Sequence, residues 1–200
     1  MGLANRLWRD RPTVLGLVGG IASGKTTVSK FLGECGASVV DADKLGHESY
    51  QPGTSCYKKL VKEFGEAIVG SDGTINRPAL AEVVFSDAAR RQRLQDIVWP
   101  EIRLLAEERI ASYERSDSEC VVLEAAVMLE AGWSDLVDEI WVVQVDPKVA
   151  RERLMARNNL AEAQADKRIA SQAMSNEERA SFAQVIVTND GTEEELRMKV

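Results

Sequence analysis

An α/β domain built on a parallel sheet is the fold class this sequence predicts, and three observations predict it. Five short apolar runs alternate with helical patterns, as strands buried on both faces of a sheet do. The first run feeds a phosphate-loop motif. That loop opens directly onto an amphipathic helical pattern. The chain has 200 residues, 44% apolar and 28% charged, which suits one soluble domain with a sizeable core or a core with small appended lobes.

Residues 1–12 read as a leader without structure of its own. Arg6, Arg9 and Arg11 ahead of the apolar run at 14–22 imitate a secretory signal. The run ends in Gly-Lys-Thr rather than at a small-residue cleavage site, and it is too short to span a bilayer. The expected location is cytoplasmic, with a mitochondrial address in the first twelve residues as the alternative. The first strand is Val14–Val18. Gly19, Gly20, Ile21, Ala22, Ser23, Gly24, Lys25 and Thr26 then fit G-x-x-x-x-G-K-[ST], followed by Thr27. Val28, Phe31, Leu32 and Cys35 recur at i, i+3, i+4 and i+7, one face of a helix. The loop therefore lies between a strand and a helix N-terminus, where backbone N–H groups and the helix dipole favour an anion. Its expected ligand is the phosphate chain of a nucleoside triphosphate. Lys25 would reach the β- and γ-phosphates, and the Thr26 hydroxyl would bind Mg²⁺. No G-x-G-x-x-G can be read here, so a dinucleotide loop is excluded.

Ser38–Val40 is the second strand, and Asp41-Ala-Asp43 follows it at once. Ligands of open α/β sheets bind at the carboxyl ends of strands. Asp43 is accordingly the expected general base, and Asp41 a contributor to metal binding or to loop order. The alternative is a turn that merely ends the strand. His47 lies one helical turn beyond Asp43 and is expected to touch the acceptor. Asp43-Lys-Leu-Gly46 also spells D-x-x-G, but no N-K-x-D follows to read guanine.

The stretch 44–118 is far longer than one crossover helix needs. It is expected to hold several helices: one over Cys56–Phe64, one opened by Pro78, one over Asp87–Val98 and one opened by Pro100. Cys120–Leu123 is the third strand and ends in Glu124, expected to act on Mg²⁺ from the strand end. Ile140–Val145 is the fourth strand. After Asp146-Pro147 a charged helical region, 148–172, reads as a hinged lid. Arg153 and Arg157 share one face of it and would neutralise charge on the transferred phosphoryl group. Val185–Val187 is the fifth strand. The last helical pattern is cut at Val200, and an extension beyond it is expected. The expected organisation is a core of 13–43, 119–147 and 184–200, a helical acceptor lobe at 44–118 and a lid at 148–183.

Net charge is −7, from 25 basic and 32 acidic residues. That argues against non-specific binding to nucleic acid or to an anionic membrane, and no insertion into a membrane is expected. Cys35, Cys56 and Cys120 are odd in number and widely spaced, neither a disulfide framework nor a zinc site. His47 is the sole histidine, which excludes a multi-histidine metal centre. A monomer is expected.

These segments together resemble the dephospho-CoA kinase family. The resemblance runs from Val14 to about Leu196 through the residue 16–27 loop, Val40-Asp-Ala-Asp43, Gln51-Pro-Gly53, Phe64-Gly65, Gly73-Thr-Ile-Asn-Arg77, Val84-Phe85 and Leu129-Glu-Ala-Gly132. It ends in Arg168-Ile-Ala-Ser-Gln172 and Val187-Thr-Asn-Asp-Gly191. What it implies is a P-loop NTPase fold of the nucleoside-monophosphate-kinase type, with five parallel strands flanked by helices. It also implies ATP- and Mg²⁺-dependent phosphorylation of the ribose 3′-hydroxyl of dephospho-CoA. Lys25 and the loop would hold ATP, Asp43 would be the base, and Arg153 a lid arginine on phosphate. His47 would lie near the acceptor, Asn76 and Arg77 in a motif for the CoA moiety, and Asn189 near adenine. Two segments depart from the family. Trp99-Pro100 stands where His-Pro is usual, and Glu124-Ala-Ala-Val-Met128 stands for Asp-x-Pro-Leu-Leu. Both wordings are similar to the kinase half of animal bifunctional CoA synthases. Another small-molecule P-loop kinase, for a nucleoside monophosphate or a sugar acid, and a non-catalytic ATP-binding module are the alternatives.

Overall fold

The five apolar runs fold as five strands; four extend a residue or so past the apolar stretch, and the fourth starts one residue earlier and ends one short of Val145. β1 is Thr13–Gly19, β2 Ser38–Asp41, β3 Cys120–Glu124, β4 Glu139–Gln144 and β5 Val185–Thr188. They form one sheet in the order β2-β3-β1-β4-β5. The pairings of β1 with β3 and β4, and of β4 with β5, are parallel. The computed structural model describes residues 11–85, 87–114 and 118–200. The expected leader therefore lies almost wholly outside the described residues.

Central β1 is buried along nearly its whole length, as a strand flanked by parallel neighbours and covered on both faces must be. Leu17, Val122 and Val143 pack with Val28 and Phe31 of helix α1 (Lys25–Glu34), with Val187, and with Leu196 of α9 (Glu193–Arg197). This cluster fixes the loop between β1 and α1, because both of its ends are anchored in one core. Leu17→Ala is expected to cost about 2–5 kcal/mol, since a fully buried side chain leaves a cavity that its neighbours only partly fill. A urea unfolding curve measures it.

The chain divides into two compact units. One comprises the residues up to Val40 together with Ile110–Val200, and the other is Asp41–Arg109. The first unit also carries α6 (Pro147–Asn158), α7 (Glu162–Ala170) and the short α8 (Asn176–Ala180). The second holds α2 (Ala42–Ser49), α3 (Ser55–Phe64), α4 (Arg77–Phe85) and most of α5 (Ala88–Glu114). Within it Lys59 bridges α3 to Glu101 of α5 at 2.8 Å, and Ser55 donates to the same carboxylate at 3.0 Å. The hydrogen bond from Lys59 holds the Glu101 carboxyl below its ordinary range.

Pro100 does not open a new helix. It lies inside α5, a single helix of 27 residues, where two had been expected. Proline removes one helical hydrogen bond and crowds the carbonyl four residues back. Val98, Ile102, Ala106 and Ile110 nevertheless form one buried stripe at four-residue spacing across the break. Burial of that stripe outweighs the local cost. No helix among the described residues is long and apolar enough to cross a membrane.

Candidate active site

Gly24 adopts φ 90°, the left-handed conformation, and Ala22 adopts φ 57°. Such reversals turn successive N–H groups inward, which makes a nest for an anion. A side chain at position 24 would be strained, and its Cβ would run into the Asn189 amide. At Gly19 a Cβ would meet the Val143 carbonyl oxygen at 2.5 Å. Helix α1 begins at Lys25 with no side chain capping its first turn. The positive end of its dipole is therefore open to a ligand. Lys25 Nζ donates to the Gly19 carbonyl at 3.0 Å, which folds the ammonium back over the start of the loop.

Thr26 Oγ1 donates to Glu124 Oε1 at 2.7 Å. Glu124 reaches it because β3 lies beside β1 in a register that pairs Glu124 with Leu17. The hydroxyl and the carboxylate, ninety-eight residues apart in sequence, form one pair of hard oxygen donors.

The arginines of α6 behave differently from the expectation that they act together on phosphate. Arg153 donates to the Asn189 carbonyl at 2.9 Å, to Asn189 Oδ1 at 3.4 Å and to the Gly191 carbonyl at 3.2 Å. Asn189, itself buried, donates to the Ser23 carbonyl at 2.8 Å. Arg153 is thus two hydrogen bonds removed from the loop and braces the turn that follows β5. Arg157 is exposed, and its Nε donates to Asn158 at 3.1 Å. Helical spacing put the two on one face, but their guanidinium groups go to different partners.

Two groups that sequence reasoning gave no role also meet the loop. Gln172 Oε1 accepts from Ile21 N at 2.7 Å. Arg179, on α8 and only 4% exposed, lies beside Gly20. Arg179 sits among charged residues in Asn-Glu-Glu-Arg-Ala, a wording that reads as a solvated turn, so no local signal marks it.

In the unit Asp41–Arg109, Asp41 Oδ1 accepts from Asp43 N at 3.0 Å and Lys44 N at 3.2 Å, and Oδ2 pairs with Lys44 at 3.2 Å. Asp41 is therefore the N-cap of α2. Asp43 and His47 stand one turn apart on α2, both exposed. His47 Nδ1 shares a 3.0 Å hydrogen bond with the Tyr50 hydroxyl, and the two rings meet edge to face at 5.6 Å. Burial pushes the Tyr50 phenol up, and the nearby charge of Arg77 partly offsets this. Arg77 is thus near enough to Tyr50 for its charge to be felt there. Asn76 Oδ1 accepts from Ala79 N at 3.1 Å and caps the start of α4.

A family model described as dephospho-CoA kinase matches residues 13–195. A dephospho-CoA kinase of Geobacter sulfurreducens is 47% identical over 187 residues, 94% of each chain. One of Symbiobacterium thermophilum is 42% identical over 94% of this chain and 78% of its own. Among solved structures, TT1252 from Thermus thermophilus superposes with a TM-score of 0.78 at 33% identity over 93% of both chains. The phosphate loop, the carboxylate at the end of β3 and the Asp-x-Asp after β2 all fall within the matched span, and the chain belongs to the dephospho-CoA kinase family.

Proposed function

We propose that this chain transfers the γ-phosphoryl group of ATP to the ribose 3′-hydroxyl of dephospho-CoA, giving CoA and ADP, the last step of CoA synthesis. The observation that carries the reading is a complete phosphate loop, with Lys25 and the Thr26–Glu124 pair in place, inside a chain that matches the family over residues 13–195. ATP and dephospho-CoA are its small-molecule partners.

The loop N–H groups and Lys25 take the phosphates. Thr26 and Glu124 would hold Mg²⁺. Both are hard oxygen donors, and Mg²⁺ takes few protein ligands beside water and phosphate. When bound, the ion neutralises charge on the phosphate oxygens. Asp43 accepts the proton of the 3′-hydroxyl as its oxygen attacks. His47, Asn76 and Arg77 receive the acceptor, with the Tyr50 hydroxyl fixing the His47 ring. Arg153 and Asn189 shape the turn on the adenosine side, and Arg157, exposed on α6, would reach phosphate.

The test is ADP release from ATP and Mg²⁺ with and without dephospho-CoA, against AMP, CMP and gluconate. Stimulation by dephospho-CoA alone, with one CoA formed per ADP, is expected. Stimulation by another acceptor, or by none, would overturn the reading. Glu124→Gln keeps an oxygen for Thr26 but removes the charge. It is expected to raise the Mg²⁺ concentration for half-maximal rate by about tenfold to a hundredfold. A magnesium titration at fixed ATP reads it.

A further inference from the structure

Among the described residues, four buried side-chain nitrogen or oxygen atoms have no hydrogen-bond partner: Ser23 Oγ, Glu130 Oε2, Arg179 Nε and Arg179 Nη1. Ser23 belongs to the phosphate loop, Arg179 lies beside Gly20 of that loop, and Glu130 lies beside Arg179. Buried polar groups are nearly always satisfied, so a cluster of orphans at one place needs a reason. Arg179 is the largest part of it. Its side chain is 5% exposed, and its one ionic partner among the described residues, Glu130, stands 3.7 Å from Nη2. A single long ion pair poorly offsets the burial of a guanidinium. Arg153 shows what a bracing arginine in this chain looks like, with three acceptor contacts on one turn.

The place of Arg179 is fixed from several sides. The Ser175–Glu178 capping box orders α8. Gln144 Nε2 donates to the Asn176 carbonyl at 3.0 Å, and Asn176 Nδ2 donates to the Val145 carbonyl at 3.1 Å, which ties α8 to the end of β4. So held, Nη1 comes to 3.3 Å from where a Cβ on Gly20 would sit, beside Gln172 Oε1 at 2.9 Å and Asn176 Oδ1 at 3.5 Å. A side chain at position 20 would crowd that approach. Lys25 Nζ lies on the preceding residue, at the Gly19 carbonyl. Two cations therefore flank consecutive residues at the start of the loop, the end at which the loop lysine meets the β- and γ-phosphates.

We propose that Arg179 is a catalytic residue supplied in cis, a second cation whose spare Nε–H and Nη1–H groups are taken up by the terminal phosphates of ATP, with Glu130 holding it in place. This rests on the kinase reading above. The arginine that offsets charge on the transferred group is then the one on α8, not Arg153 on α6. A guanidinium suits the task because its planar donors stay charged and match phosphate oxygens.

The test compares wild type with Arg179→Lys and with the double variant Glu130→Gln/Arg179→Met, which removes the pair without leaving a lone buried charge. Steady-state rates at varied ATP and varied dephospho-CoA, equilibrium dialysis with ATP, and nucleotide-free melting temperatures are measured. The double variant is expected to lose about a hundredfold to a thousandfold in kcat/KM for ATP, with KM for dephospho-CoA and the melting temperature little changed. Arg179→Lys is expected to recover at least about tenfold of that loss, since it keeps the charge. Rates and ATP binding within about threefold of wild type in both variants would overturn the proposal. So would a loss that follows the melting temperature and is not recovered by lysine, the behaviour of an arginine satisfied by buried water. A wild-type protein that binds ATP but shows no turnover with dephospho-CoA would instead overturn the acceptor assignment, and the dialysis would still read Arg179.

Discussion

Lys25→Met is expected to lower kcat/KM for ATP by about three orders of magnitude while leaving the fold intact. Lys25 opens α1, and its ammonium touches a main-chain carbonyl of its own loop. Methionine is close to lysine in helix propensity and in length, so α1 has no reason to fray. What is lost is the one loop side chain that carries positive charge to the phosphates. The Gly19 carbonyl also loses a donor, a smaller effect of about 1 kcal/mol. Lys25→Arg is expected to recover little. A planar guanidinium cannot take the place of a compact ammonium in a cradle where even a Cβ on Gly19 meets a carbonyl oxygen. Steady-state rates at varied ATP, with circular dichroism to check folding, decide it. Retention of more than a tenth of wild-type kcat/KM would mean that the loop binds phosphate without its lysine.

The sheet was legible because a parallel strand buried on both faces must be apolar throughout, and Val14–Val18 or Ile140–Val145 announce themselves that way. Strand ends were less legible. Thr13, Gly19 and Glu139 pair through backbone groups, which leave no trace in side-chain polarity. Pro100 misled for a related reason: its local cost is visible in sequence, whereas the buried stripe that overrides it depends on packing. At the site, a motif with fixed spacing placed Gly19 to Thr27 correctly on a strand–loop–helix. The carboxylate of Glu124 was legible from its place at a strand end. Arg153 was found as a residue but not as a contact, because its partners Asn189 and Gly191 lie more than thirty residues on. Gln172 and Arg179 show the limit most clearly. Each meets the loop through a position in space that neither local composition nor helical period encodes.

Asp43→Asn is expected to reduce kcat by about a hundredfold to ten-thousandfold, with KM for ATP and for dephospho-CoA changed by less than about threefold. Asp41 was expected to contribute to metal binding or loop order and Asp43 to be the base, and the structure gives the two carboxylates different surroundings. Asp41 caps α2 through its side chain. Asp43 is exposed, and among the described residues no side chain or backbone group bonds to its carboxylate. Replacing it by its neutral isostere should therefore move stability by no more than about 0.5 kcal/mol, the usual range for a surface site without special contacts. Asp41→Ala, which removes a cap, should cost about 1 kcal/mol. A large fall in turnover at Asp43 without a fall in melting temperature can then only come from the reaction itself. The acceptor hydroxyl must lose its proton as the new P–O bond forms, and an amide in place of the carboxylate cannot accept it. Rates measured with saturating ATP and dephospho-CoA, beside thermal melts of both variants, give the answer. If Asp43→Asn keeps more than a tenth of wild-type kcat, the proton leaves by another route, through the ATP phosphate itself or through solvent, and the carboxylate at this end of β2 serves only to orient the acceptor.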